Sequence, residues 1–254
     1  MRRALAVLLP LFLLAAEAEA GRPSPLATVL DRARAARELD AVLDQVRATV
    51  RQGKTPVIVF DIDDTLIKWE KKGGVKTTSW TPMPGAVPYL RALAGAGAHI
   101  VYLTARSEFD ERGVSQRPEA LGVLRTAGFP LGGPHELMMN PYRDVPSVKP
   151  KGEARPRILA KGIPLAFFDN DLSNVRLFRR QYRGARVFRV GDHSSASDPE
   201  PQRGVDGIRA VADMAGFHDH RFTTAGPRRA ARPRAGALRR HQMRRAMKTA
   251  RRNR

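Results

Sequence analysis

The sequence predicts an α/β fold in which a parallel β-sheet carries helices on both faces. Three predominantly apolar runs, Pro56–Phe60, His99–Leu103 and Pro164–Phe168, have the composition of strands that are buried on both sides. Segments with helical periodicity separate these runs, and this alternation is typical of βαβ units with right-handed crossovers. A chain of 254 residues, of which 42% are apolar, is long enough for one such domain with appendages.

The first 20 residues have the pattern of a secretory signal peptide. A basic start, Met1–Arg3, is followed by an apolar run from Ala4 to Ala16 and by small residues that end at Ala20. We therefore predict an exported protein, periplasmic or secreted, with its leader at residues 1–20. An uncleaved leader that anchors the chain in a membrane is the alternative.

Residues 21–54 are predicted to form an amphipathic helix in front of the main domain. Apolar residues recur there at three- and four-residue steps from Leu26 to Val50, and Gly53 is a suitable C-terminal stop. We expect this helix to pack on the domain at residues 55–215 and to take no part in the chemistry.

A β-hairpin is predicted directly after the first strand, from Lys68 to Thr81, with its turn at Gly73–Gly74. Trp69 and Trp80 lie on either side of this turn. Cross-strand packing of the two indoles is the favoured interpretation, and contact with a ligand is the alternative.

The remaining elements follow from apolar periodicity and from the positions of glycine and proline. The segment Lys149–Gly152 is predicted as a polar loop. From about Ser194 the composition becomes polar and rich in proline and glycine, and no element is assigned there. Helices are predicted at Ala86–Ala96, Glu119–Ala127, Arg157–Lys161 and Leu172–Tyr182, and further strands at Leu137–Met139 and Ala185–Val190.

The net charge of +20 is concentrated at the C-terminus. Residues 227–254 contain 11 arginines, one lysine and no acid, so this segment carries +12 and the rest of the chain carries +8. We predict a basic, disordered tail at residues 216–254. Such a tail is a candidate for contact with an anionic surface.

Polar side chains follow the predicted strands at the edge where open α/β sheets bind their ligands. Asp61, Asp63 and Asp64 come after the first strand, Thr104 after the second and Asp169 after the third. Three carboxylates within four residues repel one another unless a cation joins them, and hard oxygen ligands of this kind suit Mg²⁺. The absence of cysteine excludes thiol catalysis and cysteine zinc sites. The sequence therefore predicts a magnesium site at this edge.

The segment Asp61-Ile62-Asp63-Asp64-Thr65 resembles the DxDx(T/V) signature of the haloacid dehalogenase (HAD) superfamily, most of whose members are Mg²⁺-dependent phosphohydrolases built on a Rossmann-like sheet. The resemblance implies that Asp61 is the nucleophile, whose carboxylate attacks phosphorus to form an aspartyl-phosphate. It also implies that Asp63 is the general acid and base, and that its backbone carbonyl binds the metal. A Mg²⁺-dependent phosphomonoesterase is thus the leading functional hypothesis.

Further signals follow in the order that HAD phosphatases use. Thr104 resembles the second signature residue, whose hydroxyl binds a phosphoryl oxygen. Lys151 resembles the third, a cation that offsets charge on the nucleophile and the phosphate. Lys149 remains the alternative, and Lys151 is favoured because it stands closer to the helix that follows. Asp169 resembles the fourth, a direct Mg²⁺ ligand, so the implied metal ligands are Asp61, Asp63 and Asp169.

The chain departs from the HAD pattern next to Asp169. A second acid usually follows either directly or four or five residues later, but those places hold Asn170, Ser173 and Asn174. Asp171 lies two residues on. An asparagine binds a metal through its carbonyl or through water, so the identity of the second ligand stays open.

The spacing of the signature residues excludes a large cap domain. Thr65 and Thr104 are separated by 38 residues, and Thr104 and Lys151 by 46, which the predicted helices and strands already fill. The resemblance then implies a capless HAD protein with an open site. Such a protein acts on a large phosphorylated substrate, or a neighbouring copy in an oligomer covers its site.

A weaker resemblance concerns the segment around Thr104 and a second segment that follows it. Tyr102–Ser107 and Gly128–Pro130 also resemble segments of secreted acid phosphatases and of lipin-type phosphatidate phosphatases. Within the first of these segments Arg106 is a candidate for contact with an anionic part of a substrate, and Arg112 is another. Exposed arginines of a basic protein are usually solvated, which is the competing interpretation.

Two alternatives accompany the phosphomonoesterase hypothesis. The first is a phosphatase for membrane lipids of the phosphatidate type, held at an anionic surface by the basic tail. The second is a nucleic-acid-binding protein in which the tail binds and the HAD domain is residual. The second is disfavoured because residues 227–254 have no aromatic side chain to stack on bases, and an exported protein meets little nucleic acid.

Overall fold

The computed structural model describes residues 25–72, 75–143, 145–191, 208–211 and 214–215. The described chain alternates between strands and helices for most of its length. Its helices are α1 (Pro25–Arg51), α2 (Ala86–Gly95), α3 (Arg117–Ala127), α4 (Val148–Glu153), α5 (Arg155–Lys161) and α6 (Leu172–Gln181). Its strands are β1 (Pro56–Phe60), β2 (Ile67–Lys72), β3 (Val75–Pro82), β4 (His99–Ser107), β5 (Glu136–Asn140), β6 (Ile163–Asp169), β7 (Arg186–Val190) and β8 (Ile208–Val211).

Six of the strands form one sheet in the order β5-β4-β1-β6-β7-β8, and every neighbouring pair is parallel. β1 lies between β4 and β6, so the first strand after α1 is a central strand. The chain winds outwards from β1 in both directions, which is the doubly wound arrangement of Rossmann-like folds. The predicted α/β fold with a parallel sheet is confirmed.

The two faces of the sheet are covered by different helices. Ile58 and Phe60 of β1 lie in an apolar cluster with buried side chains of α1, α2 and α3. Val57 and Val59 point to the other face and lie in a second cluster with side chains of α5 and α6. The period of two along the strand divides a continuous apolar run between two layers, which explains why β1 shows no polar alternation.

A stack of three phenylalanine rings crosses the central strands directly below the sheet edge that carries the acids. Phe60 of β1 stacks on Phe168 of β6, and Phe168 stacks on Phe188 of β7, with ring centroids 4.5 Å apart in both pairs. All three rings are completely buried. Because Phe60 precedes Asp61 and Phe168 precedes Asp169, this packing fixes the relative position of the two acids.

α1 packs on the domain, as the apolar pattern of residues 21–54 predicts. Its side chains Leu39, Leu43 and Val46 have no exposed surface and join the cluster under β1. The hydroxyl of Tyr89 in α2 donates a hydrogen bond to the carbonyl oxygen of Leu39 at 3.2 Å. The helix is therefore an integral layer of the fold.

The hairpin predicted from Lys68 to Thr81 corresponds to β2 and β3, which pair in antiparallel fashion. Trp69 lies directly opposite Trp80 in this pairing, so the two indoles are cross-strand neighbours. The proposed turn at Gly73–Gly74 lies outside the described residues. Between β1 and α4, the described chain holds this hairpin, α2, β4, α3 and β5, and it shows no large cap domain.

Apart from shifts of one or two residues at the ends of elements, the structure differs from the prediction at three places. Lys149–Gly152, predicted as a loop, lies in α4, where Pro150 is tolerated because the first turn of a helix has no partner for its N–H. β4 continues past Leu103 to Ser107, since its end pairs with Asn140 of β5. β8 was not predicted, because its four residues become a strand through pairing with β7 and carry little pattern of their own.

The predicted leader at residues 1–20 and the basic tail at residues 216–254 lie outside the described residues, and both stay predictions. None of the described helices combines the length and the apolar character that crossing a bilayer requires.

The packing of α1 can be tested with two identical substitutions one helical turn apart. Val46→Ala removes a fully buried side chain and should lower the free energy of unfolding by about 2 kcal/mol. Val50→Ala is the matched control, because Val50 is 40% exposed and its change should be within about 0.5 kcal/mol. Urea unfolding monitored by circular dichroism measures both. Equal losses would contradict the packing of α1.

Candidate active site

The site is organised around two acids at the carboxyl ends of neighbouring strands. Asp61 follows β1 directly, and Asp169 is the last residue of β6. The backbone N–H of Asp61 donates to the carbonyl oxygen of Phe168 at 2.8 Å, which continues the pairing of the two strands up to the acids. Both carboxyl groups are buried, with 5% and 1% of the residue surface exposed.

Lys151 of α4 holds the two acids together. Its Nζ donates to Asp61 Oδ1 and to Asp169 Oδ2, each at 2.7 Å, and the residue is 2% exposed. Lys149 is exposed, and its Nζ lies 4.7 Å from the ring centroid of Tyr142. Of the two lysines left open by the sequence, Lys151 is the one that reaches the acids.

Burial and charge shift the protonation of this trio. Burial raises the pKa of Asp61 from 3.8 to about 7, with Lys151 opposing the rise and the nearby Asp169 adding to it. For Lys151, burial acts against its charge, but the two carboxylates outweigh this and raise its pKa above the usual value. The trio therefore carries two acids against one base in a region from which water is largely excluded.

Further hydrogen bonds orient both carboxylates. Thr65 Oγ1 donates to Asp61 Oδ2 at 3.1 Å. Asn174 Nδ2 and the backbone N–H of Asp171 donate to Asp169 Oδ1 at 3.2 and 2.9 Å. The hydroxyl of Ser147 donates to the amide oxygen of Asn174 at 3.2 Å. At the position where the HAD pattern often has an acid, this chain thus has an amide that donates a hydrogen bond to Asp169.

Asp63 lies in a separate group of contacts at the edge of the site. Arg106 binds it with two hydrogen bonds, Nε to Oδ2 at 2.7 Å and Nη2 to Oδ1 at 2.6 Å. Trp69 Nε1 also donates to Asp63 Oδ1 at 2.6 Å, and the Arg106 guanidinium lies 5.0 Å from the centroid of the Trp69 ring. The hairpin therefore contributes a side chain that touches Asp63, in addition to the cross-strand pair with Trp80.

Thr104 lies within β4 and is 1% exposed. Its Oγ1 accepts a hydrogen bond from the backbone N–H of Arg106 at 3.1 Å. Arg106 thus connects two of the predicted site residues, because its backbone contacts Thr104 and its side chain contacts Asp63. The structure joins Asp61, Lys151 and Asp169 directly, and joins Asp63 and Thr104 through Arg106.

The turn after β1 separates the two catalytic candidates Asp61 and Asp63. Asp64 has φ 56°, a left-handed conformation that aspartate and asparagine adopt more readily than most residues. Its N–H donates to the carbonyl oxygen of Ile67 at 2.7 Å, and the N–H of Leu66 donates to that of Ile62 at 2.9 Å. The chain therefore reverses direction within a few residues, and Asp61 and Asp63 contact different neighbours.

The donor set fits a magnesium ion. Mg²⁺ is usually held by one or two carboxylates, and water and phosphate oxygens supply its other ligands. Asp61 and Asp169 provide two carboxyl groups that both reach the same ammonium nitrogen, so their oxygens lie close together. Within the described residues no group of three or more His, Cys, Asp or Glu side chains lies close enough together to hold a metal.

Four residues that contact the candidate site residues, or support such a contact, have no such role in the sequence analysis. Thr65 was visible as the last residue of the signature, and Asn174 stands where a second acid was expected. Trp69 was assigned to cross-strand packing, with ligand contact as the alternative. Ser147 has no signal in the sequence, because its role depends on the approach of α4 to α6.

Neither a protein-family profile nor a curated protein sequence matches the chain. Among solved structures it is similar to a D,D-heptose 1,7-bisphosphate phosphatase from B. bronchiseptica complexed with magnesium and phosphate, at 16% identity and a TM-score of 0.43, covering 67% of this chain and 100% of that one. A class C acid phosphatase from Bacillus anthracis is similar at 18% identity and a TM-score of 0.37, covering 57% and 69%. A Mesorhizobium loti protein described as a HAD-like phosphatase is similar at 18% identity and a TM-score of 0.39, covering 64% and 82%. With identities this low and TM-scores below 0.5, the activity has to be inferred from the residues of this chain.

The raised pKa of Asp61 predicts a pH-dependent stability of the metal-free protein. Between pH 3.8 and about 7 the folded state holds more protons than the unfolded state, so the stability that this group contributes is lost as the pH rises. Asp61→Asn removes the titration. In EDTA, the melting temperature of wild type should therefore fall relative to that of Asp61→Asn between about pH 4 and about pH 7. A difference that stays constant over this range would contradict the shift.

Proposed function

We propose that the chain is a Mg²⁺-dependent phosphomonoesterase of the HAD type that acts through Asp61. The observation that carries this proposal is the contact of one buried ammonium nitrogen, Lys151 Nζ, with Asp61 and Asp169, each at 2.7 Å. Three residues that are distant in the sequence meet at the carboxyl edge of a parallel sheet. They supply a nucleophile, a cation and a metal ligand, which are the parts that phosphoryl transfer needs.

Asp61 is suited to attack phosphorus because its carboxylate is held at the end of a central strand. A phosphate dianion that approaches a carboxylate meets like-charge repulsion, and this repulsion grows as water is excluded. Lys151 offsets part of it from a fixed position. The hydroxyl of Thr104 accepts the N–H of Arg106 and would donate its own proton to a phosphoryl oxygen.

The metal would be held by the carboxylates of Asp61 and Asp169 and by the backbone carbonyl of Asp63. Bound there, Mg²⁺ would supply positive charge to the phosphoryl oxygens. Asn174 and the N–H of Asp171 keep Asp169 in place through its Oδ1. These contacts make Asn174 a positioning residue for the metal ligand.

Asp63 would move the protons in both steps. In the first step an oxygen of Asp61 bonds to phosphorus and the bond from phosphorus to the leaving oxygen breaks. Asp63, which starts this step in its protonated form, gives that oxygen its proton. In the second step water attacks phosphorus and gives a proton to Asp63. The bond to Asp61 then breaks and inorganic phosphate leaves, so both carboxylates return to their starting states.

The substrate is proposed to be a phosphomonoester that enters from an uncovered side, because no large cap domain lies in the described residues. The exported location, the contact of the tail with an anionic surface and the oligomeric state are proposals that rest on the sequence. Phosphatidate hydrolysis and nucleic-acid binding gain no support from a described contact.

The role of Asp61 is tested with p-nitrophenyl phosphate as a general substrate. Wild type should release phosphate in the presence of Mg²⁺ and lose activity in EDTA. Asp61→Asn should lower kcat by about 1,000-fold or more, because an amide is not a nucleophile towards phosphorus. Asp64→Asn is the matched control and should keep most of the activity, since asparagine also tolerates φ 56°. Full activity of Asp61→Asn would refute the mechanism.

The role of Lys151 is tested against the other lysine of α4. Lys151→Gln should lower kcat by about 100-fold or more, because it removes a fixed positive charge from the nucleophile. Lys149→Gln makes the same chemical change at an exposed position and should leave kcat within about twofold. Far-UV circular dichroism checks that both variants fold. Equal losses of activity in the two variants would contradict the assignment.

A further inference from the structure

The guanidinium of Arg106 is anchored at the edge of the site by two neighbours. Asp63 accepts its Nε and Nη2 hydrogen bonds at 2.7 and 2.6 Å, and the Trp69 ring lies 5.0 Å from its central carbon. A guanidinium has five N–H donors, and this pairing uses two of them. The Arg106 side chain keeps 22% of its surface exposed. Part of a fixed, positively charged group thus remains accessible beside the proposed general acid.

The contacts of Arg106 are more specific than those of a solvated surface arginine. Its backbone N–H donates to Thr104 Oγ1, its side chain donates to both oxygens of one carboxylate, and its central carbon lies over the indole of Trp69. A guanidinium group whose position is already fixed loses little conformational entropy when it binds an oxyanion. The Arg106 guanidinium is therefore preorganised to bind an anion.

The position of Arg106 in the reaction follows from its two neighbours. Thr104 is proposed to bind the phosphoryl group, and Asp63 is proposed to protonate the leaving oxygen. A side chain bound to Asp63 lies on the side from which the leaving group departs. An anion bound by Arg106 would therefore belong to the alcohol part of the substrate and not to the phosphate that is hydrolysed.

We propose that Arg106 is a subsite for a second phosphate group on the leaving alcohol. The preferred substrates are then phosphomonoesters whose alcohol carries a further phosphate. This inference rests on the proposed function and names its substrate class. A phosphate dianion can bind the remaining N–H donors of Arg106, or displace the singly charged Asp63 from the guanidinium, better than a neutral hydroxyl can.

The alternative is that Arg106 only positions Asp63. In that case its removal would slow the hydrolysis of every phosphomonoester by a similar factor. If Arg106 is a subsite, its removal lowers kcat/KM for substrates that carry a second phosphate and leaves kcat/KM for the other substrates unchanged. The ratio of kcat/KM for two matched substrates separates the two roles.

The matched substrates are propane-1,3-diol bisphosphate and 3-hydroxypropyl phosphate, which share the carbon chain and the reacting group. Homologues of both substrates with two and with four carbons vary the distance between the reacting phosphate and the group that would bind Arg106. Wild type should prefer the bisphosphate by about ten- to hundredfold at the best spacing. Arg106→Gln should reduce this ratio to about two, the value expected from two equivalent phosphates, and Arg106→Lys should give an intermediate ratio.

Arg125→Gln is the control, because Arg125 is exposed in the last turn of α3 and the contacts described above do not involve its side chain. It should keep the wild-type ratio. Equal losses of kcat/KM on both substrates in Arg106→Gln would overturn the subsite, and so would a wild-type ratio near two at every spacing.

Binding without turnover separates failure of the subsite from failure of the phosphomonoesterase. In an Asp61→Asn background with Mg²⁺, isothermal titration calorimetry should show that Arg106→Gln weakens binding of the bisphosphate about tenfold or more and leaves the monophosphate unchanged. Absence of hydrolysis in wild type would refute the proposed activity, and the calorimetric comparison would still decide the role of Arg106. Equal weakening of both ligands would refute the subsite.

Discussion

The contact of Lys151 with Asp61 and Asp169 is the constraint on which the site depends. Two carboxylates that are almost completely buried need a cation beside them, because an isolated charge in the interior is expensive in free energy. Because Lys151 is this cation, α4 has to lie at the carboxyl ends of β1 and β6. The stacked rings of Phe60 and Phe168 hold the ends of the two strands beside each other, so that both acids lie within reach of Lys151. Core packing and site geometry are therefore two consequences of the same arrangement.

The sequence is informative where a physical pattern is local. β1, β4 and β6 were predictable because a strand buried on both faces needs a continuous apolar run, and the shortness of these runs favours strands over buried helices. The position of Asp61 and Asp169 followed from the rule that polar residues after parallel strands meet at one edge of the sheet. The hairpin was predictable from the glycine pair between its strands, and the positions of Trp69 and Trp80 on either side of that pair indicated their cross-strand contact. For the motif lysine the sequence favours Lys151 but leaves Lys149 as an alternative, because their segment is predicted as a loop.

Recognition of α4 would have separated the two lysines. Residues two positions apart on a helix point to different sides, so one of them faces the acids while the other is exposed. Other contacts depend on tertiary structure and leave no local trace. β8 is a strand because β7 offers it an edge. Asn174 contacts Asp169 because α6 begins at Leu172, and Arg106 of β4 reaches Asp63 at the end of the neighbouring strand β1. Each of these features requires the fold before it can be seen.

The central claim is that Asp61 becomes covalently phosphorylated, and a direct chemical measurement addresses it. Rapid mixing of the protein with p-nitrophenyl phosphate and Mg²⁺, acid quenching, reduction with borohydride and peptide mass spectrometry would locate any acyl phosphate, since borohydride converts phosphorylated aspartate to homoserine. We expect homoserine at position 61 and unchanged aspartate at positions 63, 64 and 169. Phosphate release without a modified Asp61, or a modification at another of these acids, would contradict the account.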